Sequence, residues 1–258
     1  MSADEIIIGR EGPVLTVTFN RPEARNAMTW DMYEGLYAAC ETADGDDAVR
    51  AMLLRGAGSA AFVAGTDISQ FTEFTTGADG IAYEEKITRV VSRLETVRVP
   101  TVAAVQGFCV GGGLAIAAVC DLRIADRSAR FGVPVARTIG NCLSMNTYSL
   151  LLHHLGPGRT LDMLLRARLF TAEEAHAAGF VAELCDAEEL DERTGATVER
   201  LLGHAPLSMW AAKEAVRRMR TAALPDGDDI VAGVFASEDF AAGVRGFLTK
   251  ETTHWTGR

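Results

Sequence analysis

From residue 14 to residue 126 the chain alternates short β-type runs with helical stretches, and this alternation restricts the fold more than any other feature. Val14–Phe19 reads Val-Leu-Thr-Val-Thr-Phe, an alternating strand closed by Asn20-Arg21-Pro22. Thr29 is placed to cap a helix over Trp30–Ala43, with Asp31 in its first turn. A second strand is expected over Val49–Leu54, followed by the Gly/Ala-rich stretch Gly56–Thr66. Asp79 is the expected cap of a helix over Gly80–Val97, which Pro100 closes. Thr101–Gln106 is an uninterrupted run of the buried-strand type, Gly107–Gly113 a glycine-dense turn, and Leu114–Val119 a short apolar helix. Strand and helix in this order call for βαβ-like units and an α/β core.

Beyond Ser144 the pattern becomes mostly helical, with a capping box at Thr171-x-x-Glu174 and Pro206 in a first-turn position before Leu207–Met219. A soft boundary is expected near residue 200, separating a core over 1–200 from a helical segment over 201–258. Its apolar faces must pack on that core or on a neighbouring subunit. Sequence repeats and low-complexity segments are absent.

Lys plus Arg number 25 and Asp plus Glu 35, a net charge of −10, which disfavours an extended nucleic-acid surface but not a small anionic ligand. The five cysteines (Cys40, Cys109, Cys120, Cys142, Cys185) form no C-x-x-C pair and suit a reducing compartment. Met1–Gly12 lacks the basic and long apolar parts of a signal peptide, and no run approaches the ~20 apolar residues of a membrane span. A cytoplasmic protein is expected. His153 and His154 are adjacent and so cannot share one face, and His176, His204 and His254 stand alone; no metal is expected.

Two glycine-bearing segments invite a chemical reading. Gly56-Ala57-Gly58-Ser59-Ala60-Ala61 formally fits a dinucleotide fingerprint, but Phe62-Val63-Ala64-Gly65 follows where that motif must open a helix. Gly111-Gly112-Gly113 lies between a strand and a helix. Three glycines in a row cost chain entropy at ~1 kcal/mol each, so a close backbone approach is expected there, either to a ligand or simply in a tight crossing. Ala64-Gly65-Thr66-Asp67-Ile68, also after a strand, can offer a second N–H to the same cleft, and two such donors on one carbonyl oxygen make an oxyanion hole.

These residues carry a resemblance to the crotonase family, the enoyl-CoA hydratase/isomerase superfamily. Arg21-Pro22 with Asn26-Ala27-Met28, Phe62–Ile68, Pro100–Gly107, Gly111–Leu114, Cys120-Asp121, Phe131-Gly132 and Pro134 all take part. Thr171–Ala175, Gly179-Phe180-Val181 and Ala212-Lys213-Glu214 extend the likeness over nearly the whole chain. The resemblance implies an α/β fold with a ββα spiral core and a C-terminal helical segment that trimerises. It also implies an acyl- or enoyl-CoA substrate, with no permanently bound cofactor and assembly as a homotrimer or a pair of trimers. By position, Thr66 and Gly112 would supply the two backbone donors, and Arg25, Asn26, Ala27, Ala64, Asp67 and Ile68 would meet CoA. Lys213 and Lys250 are candidates for its phosphates.

Where the family's hydratases carry two glutamates, this sequence has Ala115 and Val135. Arg137, Asn141, Cys142 and Ser144 follow in a segment that is usually glycine-rich, and are candidate pocket groups. Alternatively, Asn141 and Ser144 cap the next helix and Cys142 is a core residue. Glu84, Glu85, Glu238 and Asp239 read as solvated surface charges, with entry into the pocket the alternative. The reaction thus stays open between enolate chemistry on an acyl-CoA, a hydrolase- or dehalogenase-type activity of the 137–146 segment, and CoA-thioester binding without turnover. RNA binding is disfavoured by the charge and by the lack of a Lys-rich helix.

Overall fold

A computed structural model describes residues 4–257, so the first three residues of the Met1–Gly12 stretch lie outside it. Its strands are β1 (Ile6–Glu11), β2 (Val14–Phe19), β3 (Ala51–Gly56), β4 (Ala61–Val63), β5 (Thr101–Val105), β6 (Phe108–Val110), β7 (Leu122–Asp126), β8 (Arg130–Gly132), β9 (Phe170–Thr171) and β10 (Glu183–Cys185). Its helices are α1 (Trp30–Gly45), α2 (Gly77–Glu95), α3 (Gly112–Val119), α4 (Met145–Leu165), α5 (Ala172–Ala177), α6 (Leu190–Leu202), α7 (Pro206–Thr221), α8 (Asp228–Phe235) and α9 (Glu238–Thr249).

The strands form a six-stranded sheet in the order β1-β2-β3-β5-β7-β10 and a four-stranded sheet in the order β4-β6-β8-β9. Three successive units, β3-β4-α2, β5-β6-α3 and β7-β8-α4, each give one strand to the large sheet, the next to the small sheet, and then a helix. This is the expected ββα spiral. Its repeat exists in topology without a repeat in sequence, because each turn of the spiral meets different neighbours and so needs different side chains.

β5 is buried at all five positions. Ala103 and Val105 enter the main core, while Val102 and Ala104 face a second cluster with Ile124, Leu190 and Val198 beneath α6. Both faces of the strand are covered, which is why Thr101–Val105 reads as a continuous run instead of an alternation. β2, with one face less covered, buries only Leu15, Val17 and Phe19.

Four expectations need correction. The second strand is Ala51–Gly56 rather than Val49–Leu54. Asp79 is not a cap: Thr76 is, and the Asp79 carboxylate reaches back to the Thr76 N–H in a reciprocal capping box, so α2 begins at Gly77. The Gly107–Gly113 stretch is not all turn, since it contains β6, and α3 starts at Gly112, two residues before Leu114. The cap expected at Thr29 and the capping box expected at Thr171–Glu174 are in place, and Pro206 stands at the first position of α7.

α7 buries no apolar residue, and Leu207, Val216 and Met219 on it are exposed. The helix is held by Arg220, whose side chain is 3% exposed, paired with Glu95 of α2 at 2.6 Å and donating to Asn146 Oδ1 of α4 at 2.9 Å. Removing one partner of so enclosed a pair leaves a buried charge, typically a loss of ~3–5 kcal/mol. Arg220→Met should therefore lower the melting temperature by roughly 6–20 °C, at about 2–4 °C per kcal/mol for a chain this long. Scanning calorimetry checks this, and an unchanged transition would mean that Glu95 is solvated.

Candidate active site

β4 and β6 pair in parallel, with Val63 opposite Cys109, so the segments that leave them, 64–66 and 110–112, emerge side by side. Met28 bridges the first segment: its N–H donates to Gly65 O at 2.8 Å, and its carbonyl accepts from Asp67 N at 2.9 Å. In a parallel bridge this pattern turns the N–H of the residue between them, Thr66, to the opposite side. Across the gap, Gly111 has φ +55°, and its N–H is spent on Gly132 O at 3.0 Å. Gly112 then opens α3, so its N–H has no intrahelical partner. Among the described residues neither the Thr66 nor the Gly112 N–H has a protein acceptor.

Each of the three glycines answers a different contact. A Cβ on Gly113 would fall 2.2 Å from Val63 O, one on Gly112 2.5 Å from the Tyr33 hydroxyl, and one on Gly111 3.5 Å from Gly65 Cα. The close approach expected at this triplet is thus backbone against backbone and against Tyr33. The resulting floor opens into a cavity of about 460 Å³ that Thr66, Gly112, Tyr83, Glu84, Ala115 and Val135 all line.

The Thr66 hydroxyl lies between Tyr33 Oη at 2.8 Å and Tyr83 Oη at 2.9 Å. A single hydroxyl can donate only once, so at least one tyrosine donates to it. Burial pushes both tyrosine pKa values up, so both remain protonated. These two hydrogen bonds fix residue 66 by its side chain and leave its backbone N–H unused.

Glu84 corrects the expectation of a solvated charge. It is 7% exposed, lines the cavity, and accepts from Ser144 N–H at 2.9 Å on Oε2. Burial raises its pKa to about 7, against the partial relief given by Ser144. A signal for this was present: Tyr83, Ile87, Val90, Val91 and Leu94 form the apolar stripe of α2, and residue 84, one position from Tyr83 and three from Ile87, falls on it. Glu238 and Asp239 do not line the cavity; they lie in the first turn of α9, where Asp239 accepts from Thr256 and Gly257 N–H.

Of the remaining candidates, Arg25, Ala27, Ala64, Asp67, Ile68 and Asn141 line the cavity. Arg25 lies over the Phe108 ring at 5.1 Å, and Asp67 is held by Arg21 at 3.1 Å. Asn26 is fully buried and shapes the loop, donating to Ala57 O and Ala61 O and accepting from Arg21 N–H. Asn141 Oδ1 is buried without a partner. Ser144 is the cap of α4. Arg137 is exposed and off the cavity wall. Cys142 is buried off the wall, its thiol pushed up to about 12 by burial, which suits a core residue and not a nucleophile. Lys213 is spent on Asp121 and on Val99 O at 2.8 Å, away from the cavity. Lys250 is exposed, three residues beyond Phe247 of the cavity wall. All five cysteines are buried and unbridged, and the described residues hold no metal-competent cluster.

The buried carboxyl has a measurable consequence. Below pH 4.5 it is protonated in both the folded and the unfolded chain; between 4.5 and about 7 only the folded chain keeps the proton, so stability falls as pH rises through that interval. At ~1.4 kcal/mol per pH unit the accumulated cost above pH 7 is ~3 kcal/mol. Glu84→Gln, which still accepts from Ser144, should be more stable than wild type by up to that amount at pH 8 and equal to it near pH 4. Urea denaturation at both pH values checks this, and equal midpoints at pH 8 would mean a solvated carboxylate.

Comparison with known proteins agrees with the fold. The chain matches the enoyl-CoA hydratase/isomerase family over residues 9–258. It is 34% identical to a short-chain-enoyl-CoA hydratase of Clostridium acetobutylicum, over 84% of this chain and 83% of that one. It is 30% identical to 2,3-dehydroadipyl-CoA hydratase of Escherichia coli, over 98% and 99%. A solved enoyl-CoA hydratase/carnithine racemase from Magnetospirillum magneticum superposes with a TM-score of 0.81 at 31% identity, over 100% of this chain and 97% of that one. A methylmalonyl-CoA decarboxylase with 2-nitronate-propionyl-CoA reaches 0.90 at 23% identity, over the full length of both chains, a likeness of fold alone. With its ββα spiral and a family match that runs almost from end to end, the chain belongs to the enoyl-CoA hydratase/isomerase family of the crotonase superfamily.

Proposed function

We propose that the cavity takes an acyl- or enoyl-CoA thioester, with the thioester oxygen on the Thr66 and Gly112 N–H groups, and that the enzyme stabilises the enolate formed there. The observation that carries this reading is the pair of partnerless backbone donors on the floor of one cavity. Removing a proton next to the thioester carbonyl drives negative charge onto that oxygen. Each fixed donor is worth ~3–4 kcal/mol to such a transition state, and the positive end of α3 adds to it.

Arg25, Ala27, Ala64, Asp67 and Ile68 form the wall for CoA, on a loop that Asn26 braces. Lys250, exposed three residues beyond Phe247 of the cavity wall, is a candidate for the phosphates, and Lys213, already ion-paired, is the poorer one. Ala115 and Val135 stand where hydratases of the family keep their paired carboxylates, so hydration is not the favoured reaction. The protein acts in the cytoplasm as a trimer or a pair of trimers, with residues 201–258, whose α7 exposes Leu207, Val216 and Met219, as the assembling segment. Binding without turnover is the second reading, supported by those same two apolar positions.

A proline at the first position of α3 is compatible with a helix and deletes the donor, but its ring would meet Tyr33 Oη. Gly112→Pro is therefore best made in a Tyr33→Phe background. Compared with Tyr33→Phe alone it should lose ~10²–10³-fold in turnover of acyl-CoAs, read by mass spectrometry in D₂O. Equal turnover would remove Gly112 from the site. Wild-type protein should also hydrate crotonyl-CoA at least ~10²-fold more slowly than a two-glutamate relative. A comparable rate would show that another pair of groups handles the water.

A further inference from the structure

We propose that Glu84 is the catalytic acid–base of this site, approaching the acyl group from α2, and that the reaction it serves is proton transfer at carbon beside the thioester. The proposal rests on the reading of the cavity as a thioester site and adds to it the group that moves the proton and the class of substrate.

The carboxyl lines the same cavity as the two free N–H groups, and the adjacent residue on α2, Tyr83, holds the Thr66 hydroxyl. Ser144 N–H fixes one oxygen, Oε2. The other, Oε1, has no hydrogen-bond partner among the described residues and is not among the sealed, unpartnered atoms, so it is open to the cavity. Glu84 makes no ion pair within the described chain. A carboxyl buried without a cation costs stability, and such a group is most readily explained by the chemistry it performs.

The groups that face it are neutral. α1 contributes Tyr33, α2 contributes Tyr83, and the 133–148 region contributes Cys142 and Tyr148; burial raises the pKa of all four. α3 carries no charged residue, and Asp228 and Asp229 of α8 are exposed. Lys86 and Arg89 of α2 lie over Trp30 and Tyr37, with Arg89 paired to Glu34. With a pKa of about 7, Glu84 is present in both protonation states at neutral pH, as a group that must take and return a proton requires.

The step balances without a co-reactant. Oε1 takes the proton from the carbon next to the carbonyl, the C–H electron pair passes to the thioester oxygen, and the enolate collapses as Glu84 returns the proton. Return to the same carbon gives exchange with solvent; return two carbons further along a 3-enoyl thioester moves the double bond into conjugation. Addition of water would call for a second proton-handling group opposite, and Ala115 and Val135 supply none. The substrates expected are therefore thioesters with an acidic α-hydrogen, above all 3-enoyl-CoAs.

The test is made on full-length protein with butyryl-CoA and 3-butenoyl-CoA in D₂O, with binding of butyryl-CoA followed by calorimetry. Wild type should exchange or isomerise with a rate that rises with pH and levels above about 7. Glu84→Gln should lose at least ~10²-fold at unchanged Kd, and Glu84→Asp should recover part of the loss while keeping a pH step. Equal rates in wild type and Glu84→Gln, or a rate flat across pH 7, overturn the proposal and leave the thioester site standing. Binding without exchange in wild type also overturns it. If wild type binds no CoA thioester, the reading of the site falls and the proposal falls with it.

Discussion

The parallel pairing of β4 with β6 brings two stretches of main chain together at the floor of the cavity, and the rest of the site depends on that contact. Gly65 and Gly111 make the approach possible, and the two bridges, Met28 to residues 65 and 67 and Gly132 to residue 111, use the neighbouring polar groups. What remains is one free N–H on each side. Backbone donors cannot rotate away as a side chain can, so the two N–H groups keep a fixed direction.

The short helix α3 is finished differently at its two ends. Its first N–H faces the cavity, while its last carbonyls are met by Arg123, which is buried and donates to Ala117 O at 3.0 Å and Cys120 O at 2.6 Å. A cation at the C-terminal end satisfies the negative pole, so the positive pole is left for the cavity. The same guanidinium bonds Phe180 O and lies over the Phe180 ring, tying the helix to the loop before β10. Burial lowers the Arg123 pKa, yet an arginine keeps its charge across any physiological pH.

The α/β class, the order of elements and the two donor segments were legible because they depend on local signals: alternation in Val14–Phe19, an apolar run in Thr101–Val105, caps at Thr29 and Thr171, and glycines at 65 and 111–113. The start of α2 was misread, since Asp79 resembles a cap until Thr76 is seen to occupy that position. Glu84 was the larger miss. A charged residue between Tyr83 and Glu85 reads as surface unless the helical stripe is traced through it, and only the fold shows that Ser144, sixty residues away, closes over it. Lys213 is a similar case: a lysine in sequence carries no sign that Asp121 pairs with it. Pairings over such distances are properties of packing, and no local pattern encodes them.

The Tyr33 hydroxyl sits where a side chain on residue 112 would have to go. The two positions are therefore coupled in any lineage that inherits this geometry. A larger residue at 112 becomes admissible only after the ring at 33 has lost its oxygen or been replaced, and a smaller residue at 33 releases the Thr66 hydroxyl from one of its two partners. Divergence at this floor must proceed through paired replacements in a set order, so position 112 can stay glycine for reasons of volume alone, even where its N–H has ceased to matter.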